Sequence, residues 1–327
     1  MLPIILLGSG NSGSGAIKDY LIGRGDIFDP LYGQEFRLIQ EKDGLSCLHK
    51  SLTSEFHPDK AMYAILQFKE LANRLGQTSK KFSFPPKLGY GFSKRIPGYN
   101  SSINNFIEKI TACTFEVVPL RDLLNYSTLD WLKQTVGSLP RSKRSPLKKP
   151  IPVLNKNFEQ HALELINDLF YSCNKSRFKG KVALIFDQAG SFWSPISSTQ
   201  YFGEERKVIV VKRDPRDIFA QNKRMYGGNV IGFTRYYNSI MAHISQLEWN
   251  NKNVLIVDFE SFVLNHEKER NLLCQFLDIT SSTNSTYNPI ESEKNIGLYK
   301  KFLSEETSKI IEKNCLISVN ELDVIYR

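Results

Sequence analysis

The chain has 327 residues, of which 41% are hydrophobic, and its 43 Lys and Arg outnumber its 34 Asp and Glu to give a net charge of +9. The length suits one large α/β domain or two modest ones, and the composition is that of a folded globular protein. No apolar run approaches the ~18 residues that would span a bilayer, and the opening residues lack the longer apolar segment of a secretory signal. We therefore expect a cytoplasmic protein without a transmembrane segment.

The cysteine pattern and the charge restrict the kinds of site further. Five cysteines are scattered without CxxC or CxxH spacing, which argues against a disulfide framework and against a zinc site. No metal is expected. The excess of positive charge favours an anionic partner, but composition does not choose among nucleic acid, a membrane surface, a phosphorylated cofactor and an acidic glycan.

Short apolar runs alternate with helical patterns along the chain. The runs at residues 4–7, 181–186, 207–212 and 253–257 predict buried parallel strands. Helices are predicted over about residues 229–248, after Asn265 and from near Ser304, and the apolar stripe of the first is interpreted as core. This alternation predicts an α/β fold, a P-loop-like parallel sheet flanked by helices in a single domain spanning residues 1–327.

The middle of the chain follows another pattern. Prolines, glycines and serines interrupt residues 80–157, so we predict a mainly helical and loop insertion, or acceptor-side subdomain. Residues 141–149 place five cations in nine positions. This run is either a solvated loop or a lid that closes on an anion.

A glycine-rich loop, Gly-Ser-Gly-Asn-Ser-Gly-Ser-Gly at residues 8–15, directly follows the first strand, and a helical pattern follows it. Glycines let the backbone approach an anion, and the N–H groups at a helix start point towards it. The loop therefore predicts a phosphate site. A dinucleotide fold remains open, since GxGxxG spacing is present and Asp29 or Glu35 could hold a ribose. A kinase loop is poorly supported, because Ser14 occupies the lysine position.

A second motif, Arg-Asp-Pro-Arg-Asp at residues 213–217, follows the strand 207–212. Asp214 can cap a helix, Pro215 suits its first turn, and Asp217 favours its positive end. Arg213 is then placed at the carboxyl end of a strand, where α/β folds bind ligands and where a guanidinium can bind a phosphate bidentately. An arginine paired with a neighbouring carboxylate is the alternative.

Together these two segments resemble the sulfotransferase superfamily, whose signatures are a strand with a loop like Gly-x-Pro-Arg/Lys-Ser-Gly-Thr-Thr and a strand with Arg-x-Pro-x-Asp. The similarity continues in residues 254–262 and 297–303, which look like the family's Tyr-Glu-Asp-Leu strand end and its Gly-Arg-Trp-Arg-Lys segment. It covers the first 40 and the last 150 residues. The resemblance implies a sulfotransferase that uses 3′-phosphoadenosine 5′-phosphosulfate (PAPS).

The resemblance also implies a cofactor site. The backbone of residues 12–15 would hold the 5′-phosphosulfate, Arg213 the 3′-phosphate, and Lys300 and Lys301 would close over the nucleotide. The full set of cofactor-binding residues predicted in this way is Ser9, Gly10, Asn11, Ser12, Gly13, Ser14, Gly15, Arg213, Gln221, Lys300 and Lys301.

Residues 33–39 look like the Gly-Glu-Glu-Thr-Arg stretch of the protein-tyrosine sulfotransferases, which makes Glu35 the candidate base and Arg37 a candidate to position the acceptor or the sulfuryl group. An exposed salt bridge is the alternative for this pair. Asn11 stands where the family's loop has Arg or Lys, so a cation that stabilises the leaving group is missing. Lys18, one turn into the helix, is a candidate replacement.

The leading hypothesis is thus transfer of a sulfuryl group to a hydroxyl or amine of a small molecule or glycan. One alternative is a P-loop kinase acting on a small molecule or glycan, with Asp187 binding magnesium. Another is a nucleotide-binding protein with impaired catalysis, which Asn11 favours. Nucleic acid is not expected as a partner, because the basic residues cluster in one loop without a recognisable reading motif.

Overall fold

The apolar run at the start of the chain forms the middle strand of a five-stranded parallel sheet. The computed structural model describes residues 1–54, 57–80, 87–117, 128, 149–154, 157–172, 179–243, 251–280 and 285–315. The sheet strands are β1 (Leu2–Gly8), β2 (Ile27–Phe28), β7 (Ala183–Asp187), β8 (Lys207–Lys212) and β9 (Val254–Asp258), in the order β2-β7-β1-β8-β9. Two antiparallel pairs lie outside this sheet: β3 (Thr78–Lys80) with β4 (Lys87–Tyr90), and β5 (Thr111–Val117) with β6 (Lys149–Leu154).

Helices follow the strands as the alternating sequence pattern predicts. The first six are α1 (Ser14–Gly23), α2 (Leu45–Thr53), α3 (Pro58–Gly76), α4 (Phe92–Arg95), α5 (Tyr99–Ile110) and α6 (Phe158–Asn167). The later ones are α7 (Pro215–Asn222), α8 (Val230–His243), α9 (Phe259–Leu264), α10 (His266–Leu277), α11 (Pro289–Glu293), α12 (Tyr299–Phe302) and α13 (Glu305–Asn314). A π-helical turn at Asp168–Ser172 continues α6, and a short 3-10 helix covers Gln200–Phe202.

Strand β1 is buried along almost its whole length and divides the core into two layers. Because successive side chains of a strand point to opposite faces, Ile5 and Leu7 pack into one core cluster and Ile4 and Leu6 into the other. The first cluster includes residues of α2, α3, α5 and α6, and the second includes residues of α1, α9 and α10. The sheet is therefore covered on both faces, as parallel sheets require.

The α/β class is confirmed, and all four predicted strands agree with the observed ones to within two residues at each end. The predicted helix at 229–248 is observed as α8, while its last residues lie outside the described part of the chain. Ser304 caps α13 as expected, accepting a hydrogen bond from the N–H of Thr307. No described helix has the length and apolar composition needed to cross a membrane.

The proposed insertion at residues 80–157 is described only in part. Its described elements are β4, α4, α5, β5 and β6, with α3 and α6 packed beside α5. The basic run 141–149 lies outside the described residues except for the backbone of Lys149. The division of the chain into a domain and an insertion therefore stays a prediction.

The turn from β1 into α1 is close-packed at two glycines. Gly13, which precedes α1, has a φ of 84°, a left-handed conformation, and a Cβ there would lie 2.3 Å from the Phe259 ring. A Cβ on Gly8 would lie 2.0 Å from Ser12 Oγ. Side chains at either position would therefore displace the loop that connects β1 to α1.

Replacing Gly13 with alanine should destabilise the fold by about 1–3 kcal/mol. The new Cβ would overlap the buried Phe259 ring, and alanine at this positive φ is strained. Gly15 is the matched control: it lies in α1, and its Cβ would meet open space. Gly15→Ala should therefore stabilise the protein by about 0.5–1 kcal/mol. Urea denaturation of both variants checks this, and equal unfolding midpoints for the two would contradict it.

Candidate functional site

The carboxyl ends of β1, β7, β8 and β9 meet at one edge of the sheet, where open α/β sheets bind ligands. A cavity of about 420 Å³ lies at this edge, and we call it the loop cavity. The glycine loop and the start of α1, residues 9–16, form one wall of it. Its other lining residues are Asp19, Glu35, Asp187, Gln188, Arg213, Gln221, Phe259, Ser292 and Asn295.

The start of helix α1 faces this cavity without a side-chain cap. The N–H of Ser12 donates to Ser9 O at 2.9 Å and the N–H of Ala16 donates to Gly13 O at 3.1 Å, which shapes the loop into a tight turn. The first N–H groups of a helix have no carbonyl partner within it and carry partial positive charge. With Ser9, Ser12 and Ser14 beside them, they form a wall of donors suited to an anion.

Arg213 adds a buried cation to the same cavity. One terminal nitrogen donates to Asn11 O at 2.9 Å and to Gln221 Oε1 at 2.8 Å, and the other donates to Asn295 O at 2.5 Å. Its Nε is buried and has no hydrogen-bond partner among the described residues. Burial lowers the pKa of Arg213, and Asp217 opposes this effect.

Asp217 joins Arg213 to the C-terminal part of the chain. Its carboxylate is fully buried, lies 3.6 Å from the Arg213 guanidinium, and accepts hydrogen bonds of 2.8 Å from the N–H groups of Gly297 and Tyr299. Sequence analysis interpreted Asp217 only as a residue near the N-terminus of a helix, where a negative charge is favourable. Its partners lie 80 and 82 positions further along the chain, where no local pattern could indicate them.

The side-chain amide of Asn11 donates a hydrogen bond to a residue outside the loop. Asn11 has a φ of 62°, and its Nδ2 donates to Asn222 Oδ1 at 2.7 Å. Asn222 Nδ2 in turn approaches Gly10 O at 3.4 Å and donates to Ile218 O at 3.0 Å. The loop is therefore held at two points, by Asn222, the last residue of α7, and by Arg213, which lies two residues before α7 begins.

Lys18 lies in a buried ion network below the loop. Its Nζ is 3.1 Å from Asp29 Oδ2 and 3.2 Å from Asp187 Oδ2. Burial raises the pKa of Asp187, and Lys18 opposes that rise. Two carboxylates thus pair with the charge of Lys18, and Lys18 itself lines neither cavity. Asp29, considered above for a ribose, is 7% exposed and accepts from the N–H groups of Leu31 and Gly33.

Glu35 is held at the cavity by its neighbours rather than by a strand. Phe36 is fully buried, and its N–H donates to Asp187 O at 2.9 Å. Glu35 Oε2 accepts from Arg37 Nε at 2.7 Å, and Arg37 also donates to Glu41 Oε1 at 2.6 Å. Burial lowers the pKa of Arg37, but the hydrogen bonds to Glu41 and Glu35 outweigh it, so the pKa stays above its ordinary value.

A second cavity of about 440 Å³ adjoins the loop cavity, and we call it the aromatic cavity. Ser9, Gly10, Glu35, Gln188 and Arg213 line both cavities and mark their junction. The residues that line only the aromatic cavity are Gly8, Arg37, Gln40, Ser191, Phe192, Trp193, Lys212, Ile218, Met225, Tyr226, Phe233, Tyr236 and Tyr237. Glu35 is therefore placed between a cavity suited to an anion and a cavity lined by aromatic and polar side chains.

The predicted site residues line one or both of these cavities, except for three lysines, Lys18, Lys300 and Lys301. Lys300 and Lys301 lie in α12, are exposed and line neither cavity. Their helix is connected to the site through Tyr299, its first residue, whose N–H donates to the Asp217 carboxylate. Sequence reasoning missed Gln188, Asn222 and Asn295, whose contacts arise only from the tertiary fold.

Comparison with known proteins adds two structural likenesses. No protein-family model matches the sequence, and no curated protein matches it. The chain is similar to the sulfotransferase domain of the Synechococcus PCC 7002 olefin synthase, with a TM-score of 0.42 and 12% identity over 99% of this chain and 92% of that domain. It is also similar to the sulfotransferase domain of the curacin biosynthetic pathway, with a TM-score of 0.38 and 12% identity over 97% and 99%. At these values the assignment of function rests on the site itself.

Glu260, on α9, is a half-buried carboxyl group that contacts the backbone of Asp214. Its Oε1 accepts from the N–H of Asp214 at 3.1 Å. Burial raises its pKa from 4.5 to about 7, and Asp258 and Asp214 add to this rise. The folded state thus keeps a proton that the unfolded chain releases above pH 4.5, so this group makes stability fall as pH rises from 4.5 to 7.

Glu260→Gln should remove that pH-dependent cost, while its amide oxygen can still accept from Asp214. Relative to the unchanged protein, the variant should gain about 2 kcal/mol of unfolding free energy between pH 5 and pH 8. Urea denaturation at both pH values measures this gain. Parallel pH profiles for the two proteins would show that Glu260 titrates normally in the fold.

Proposed function

We propose that this chain is a sulfotransferase that takes a sulfuryl group from PAPS and transfers it to a hydroxyl group. The observation that carries the proposal is the pair of adjoining cavities, one lined by anion donors and one lined by aromatic and polar side chains, with Glu35 at their junction. A two-substrate transfer needs this arrangement, since donor and acceptor must meet beside a group that takes the acceptor's proton.

The loop cavity fits the nucleotide end of PAPS. Its donors are the first N–H groups of α1 and the serines of the loop, and Arg213 offers a buried Nε without a partner among the described residues. An unpaired buried donor is costly, so a phosphate oxygen at this point is a favourable partner. Ser12, Gly13, Ser14 and Gly15 would hold the 5′-phosphosulfate, and Arg213 with Gln221 the 3′-phosphate. PAPS supplies the activated sulfuryl group.

The chain's own residues then have separate tasks. Glu35 accepts the proton of the acceptor hydroxyl, and Arg37 fixes the carboxylate through the 2.7 Å hydrogen bond to its Oε2. The N–H groups of residues 13–15 stabilise negative charge that develops on the transferred group and on the leaving phosphate. Lys18 pairs with Asp187, which lines the loop cavity.

Asn11 limits how far the leaving group can be stabilised by the loop. Its amide donates to Asn222, and an amide carries no net charge. We infer that the backbone donors of the loop take the larger share of this stabilisation, and that chemistry is slower than with a cation at position 11. Binding of the nucleotide does not depend on this residue's charge.

A P-loop kinase is the second candidate, and one observation favours it. Asp187 lines the loop cavity, and its buried Oδ1 has no hydrogen-bond partner among the described residues. Such an oxygen beside phosphates could ligate magnesium. Against this, Ser14 occupies the position of the kinase loop lysine, and Asp187 Oδ2 already pairs with Lys18.

Calorimetric titration with 3′-phosphoadenosine 5′-phosphate, 5′-AMP, NAD and ATP with magnesium tests the proposal. The 3′,5′-bisphosphate should bind at least about 10-fold more tightly than 5′-AMP, because a charge-assisted hydrogen bond to Arg213 contributes about 1.5–3 kcal/mol. Tighter binding of ATP with magnesium would favour the kinase, and tighter binding of NAD would favour a dinucleotide site.

Two conservative variants locate the 3′-phosphate. Arg213→Lys keeps the buried charge but loses the planar guanidinium, and it should weaken binding of the bisphosphate about 10-fold. Arg216→Lys is the matched control. Arg216 lies in the first turn of the helix that follows Arg213, but it contacts Asp214 and Glu312 and lines neither cavity. If both variants bound as well as the unchanged protein, the 3′-phosphate would lie elsewhere.

A further inference from the structure

One wall of the aromatic cavity belongs to a small hydrophobic cluster that also includes the end of α13. The buried members of this cluster are Ile218, Phe219, Phe233, Ile311 and Cys315, and Tyr226 and Tyr237 pack against them. Of these residues, Ile218, Tyr226, Phe233 and Tyr237 also line the cavity. The chain therefore emerges from α13 within the same packed cluster that forms the cavity wall.

The chain leaves α13 in an extended conformation beside α8. Cys315, which follows the helix, is 6% exposed and has φ −109° and ψ 141°. The side-chain amide of Asn238, next to Tyr237 on α8, donates to Asn314 O. Asn238 Oδ1 is buried and has no hydrogen-bond partner among the described residues. A buried acceptor without a partner is costly, and an extended segment that runs on from Cys315 along α8 has backbone N–H groups to offer it.

Residues 316–327, which lie outside the described part of the chain, have the sequence of a segment with an apolar face. They read Leu-Ile-Ser-Val-Asn-Glu-Leu-Asp-Val-Ile-Tyr-Arg, and seven of the twelve are apolar or aromatic. Leu322, Val324 and Tyr326 occupy every second position, which puts them on one side of an extended segment. Twelve extended residues reach up to about 40 Å, so the segment is long enough to cross the cavity.

The mouth of the aromatic cavity leaves large apolar side chains exposed to solvent. Met225 is 69% exposed, Tyr236 54% and Trp193 39%. They continue a buried floor that includes Phe233 and Ile218. Exposed apolar groups of this kind mark a binding surface, and their burial against another apolar face is favourable.

Polar and charged side chains share the lining with these apolar groups. They are Ser9, Glu35, Arg37, Gln40, Gln188, Ser191, Lys212 and Arg213. Three of these described residues are cations and one is a carboxylate, so the lining carries an excess of positive charge. The 316–327 segment has the opposite balance, because Glu321 and Asp323 outnumber its single cation, Arg327. The segment thus complements the cavity in both charge and apolar character.

We propose that residues 316–327 dock in the aromatic cavity of their own chain, with Leu322, Val324 and Tyr326 against the exposed apolar mouth and the two carboxylates towards Lys212. The cavity is the one in which the proposed function places the acceptor, so the docked segment excludes the acceptor until it leaves. Because the segment is tethered at Cys315, its effective concentration at the cavity is high without any partner molecule. The docking itself does not depend on which group the protein transfers.

Photo-crosslinking of the full chain, without nucleotide or acceptor, tests the docking. Tyr326→p-benzoylphenylalanine places a photoreactive ring in the segment, and mass spectrometry locates the residues that it captures. We expect cross-links within one chain to residues 191–193 and 225–237, in a yield at least about 10-fold above that of the same probe at Leu264. Leu264 is the control position because it lies on α9, is 58% exposed and lines neither cavity.

A matched pair of substitutions on α8 shows whether the captured surface is the cavity. Tyr236→Ala should lower the yield about 3-fold or more, as expected for the loss of one ring contact. Ile231→Ala should leave the yield unchanged, since Ile231 is 46% exposed on the same helix but does not line the cavity.

Cross-links to other surfaces or between two chains, a yield no higher than at Leu264, or equal effects of the two substitutions would each overturn the inference. Failure of the bisphosphate to bind would count against the proposed function alone.

Discussion

The buried ion pair of Arg213 and Asp217 holds the functional edge of the sheet together. Through Arg213 it fixes the glycine loop at Asn11 O and the residue Asn295, and through Asp217 it fixes the backbone of Gly297 and Tyr299. Three segments that are distant in sequence thus meet at one side-chain pair. A buried charge is costly unless it is paired and hydrogen-bonded, and here each of these hydrogen bonds reduces that cost. The pair stabilises the site chiefly by specifying its arrangement.

The same pair explains why one helix serves two cavities. Helix α7 begins next to Arg213 in the loop cavity, and Ile218, one turn further on, forms the floor of the aromatic cavity. A shift of α7 would change both cavities together. Glu35, which lines both cavities, is anchored by the buried ring of Phe36 and by Arg37. The junction is therefore built from elements that the two hydrophobic layers of the core hold in place.

Sequence analysis predicted the features that depend on residues close together in the chain. The strand 207–212, the cap at Asp214 and the cap at Ser304 follow from hydrophobic pattern and from side chains that bond their own neighbourhood. It could not predict contacts that depend on chain closure, such as Asp217 with Gly297 or Asn11 with Asn222. The stripe on α8 was interpreted as core, and Phe233 is buried as expected, but the same residue also lines the aromatic cavity. Periodicity shows that a face is apolar and not what covers it.

Transfer of a labelled sulfuryl group from PAPS to a panel of alcohols, phenols and simple saccharides, in Glu35→Gln and Glu41→Gln variants, tests the central claim most directly. Both carboxylates bond Arg37, but only Glu35 lines the two cavities. We expect Glu35→Gln to lower the rate constant of transfer about 100-fold or more with unchanged nucleotide affinity, and Glu41→Gln to retain most of the rate. Equal rates in the two variants would show that Glu35 is not the base and that the junction of the cavities is not where transfer occurs.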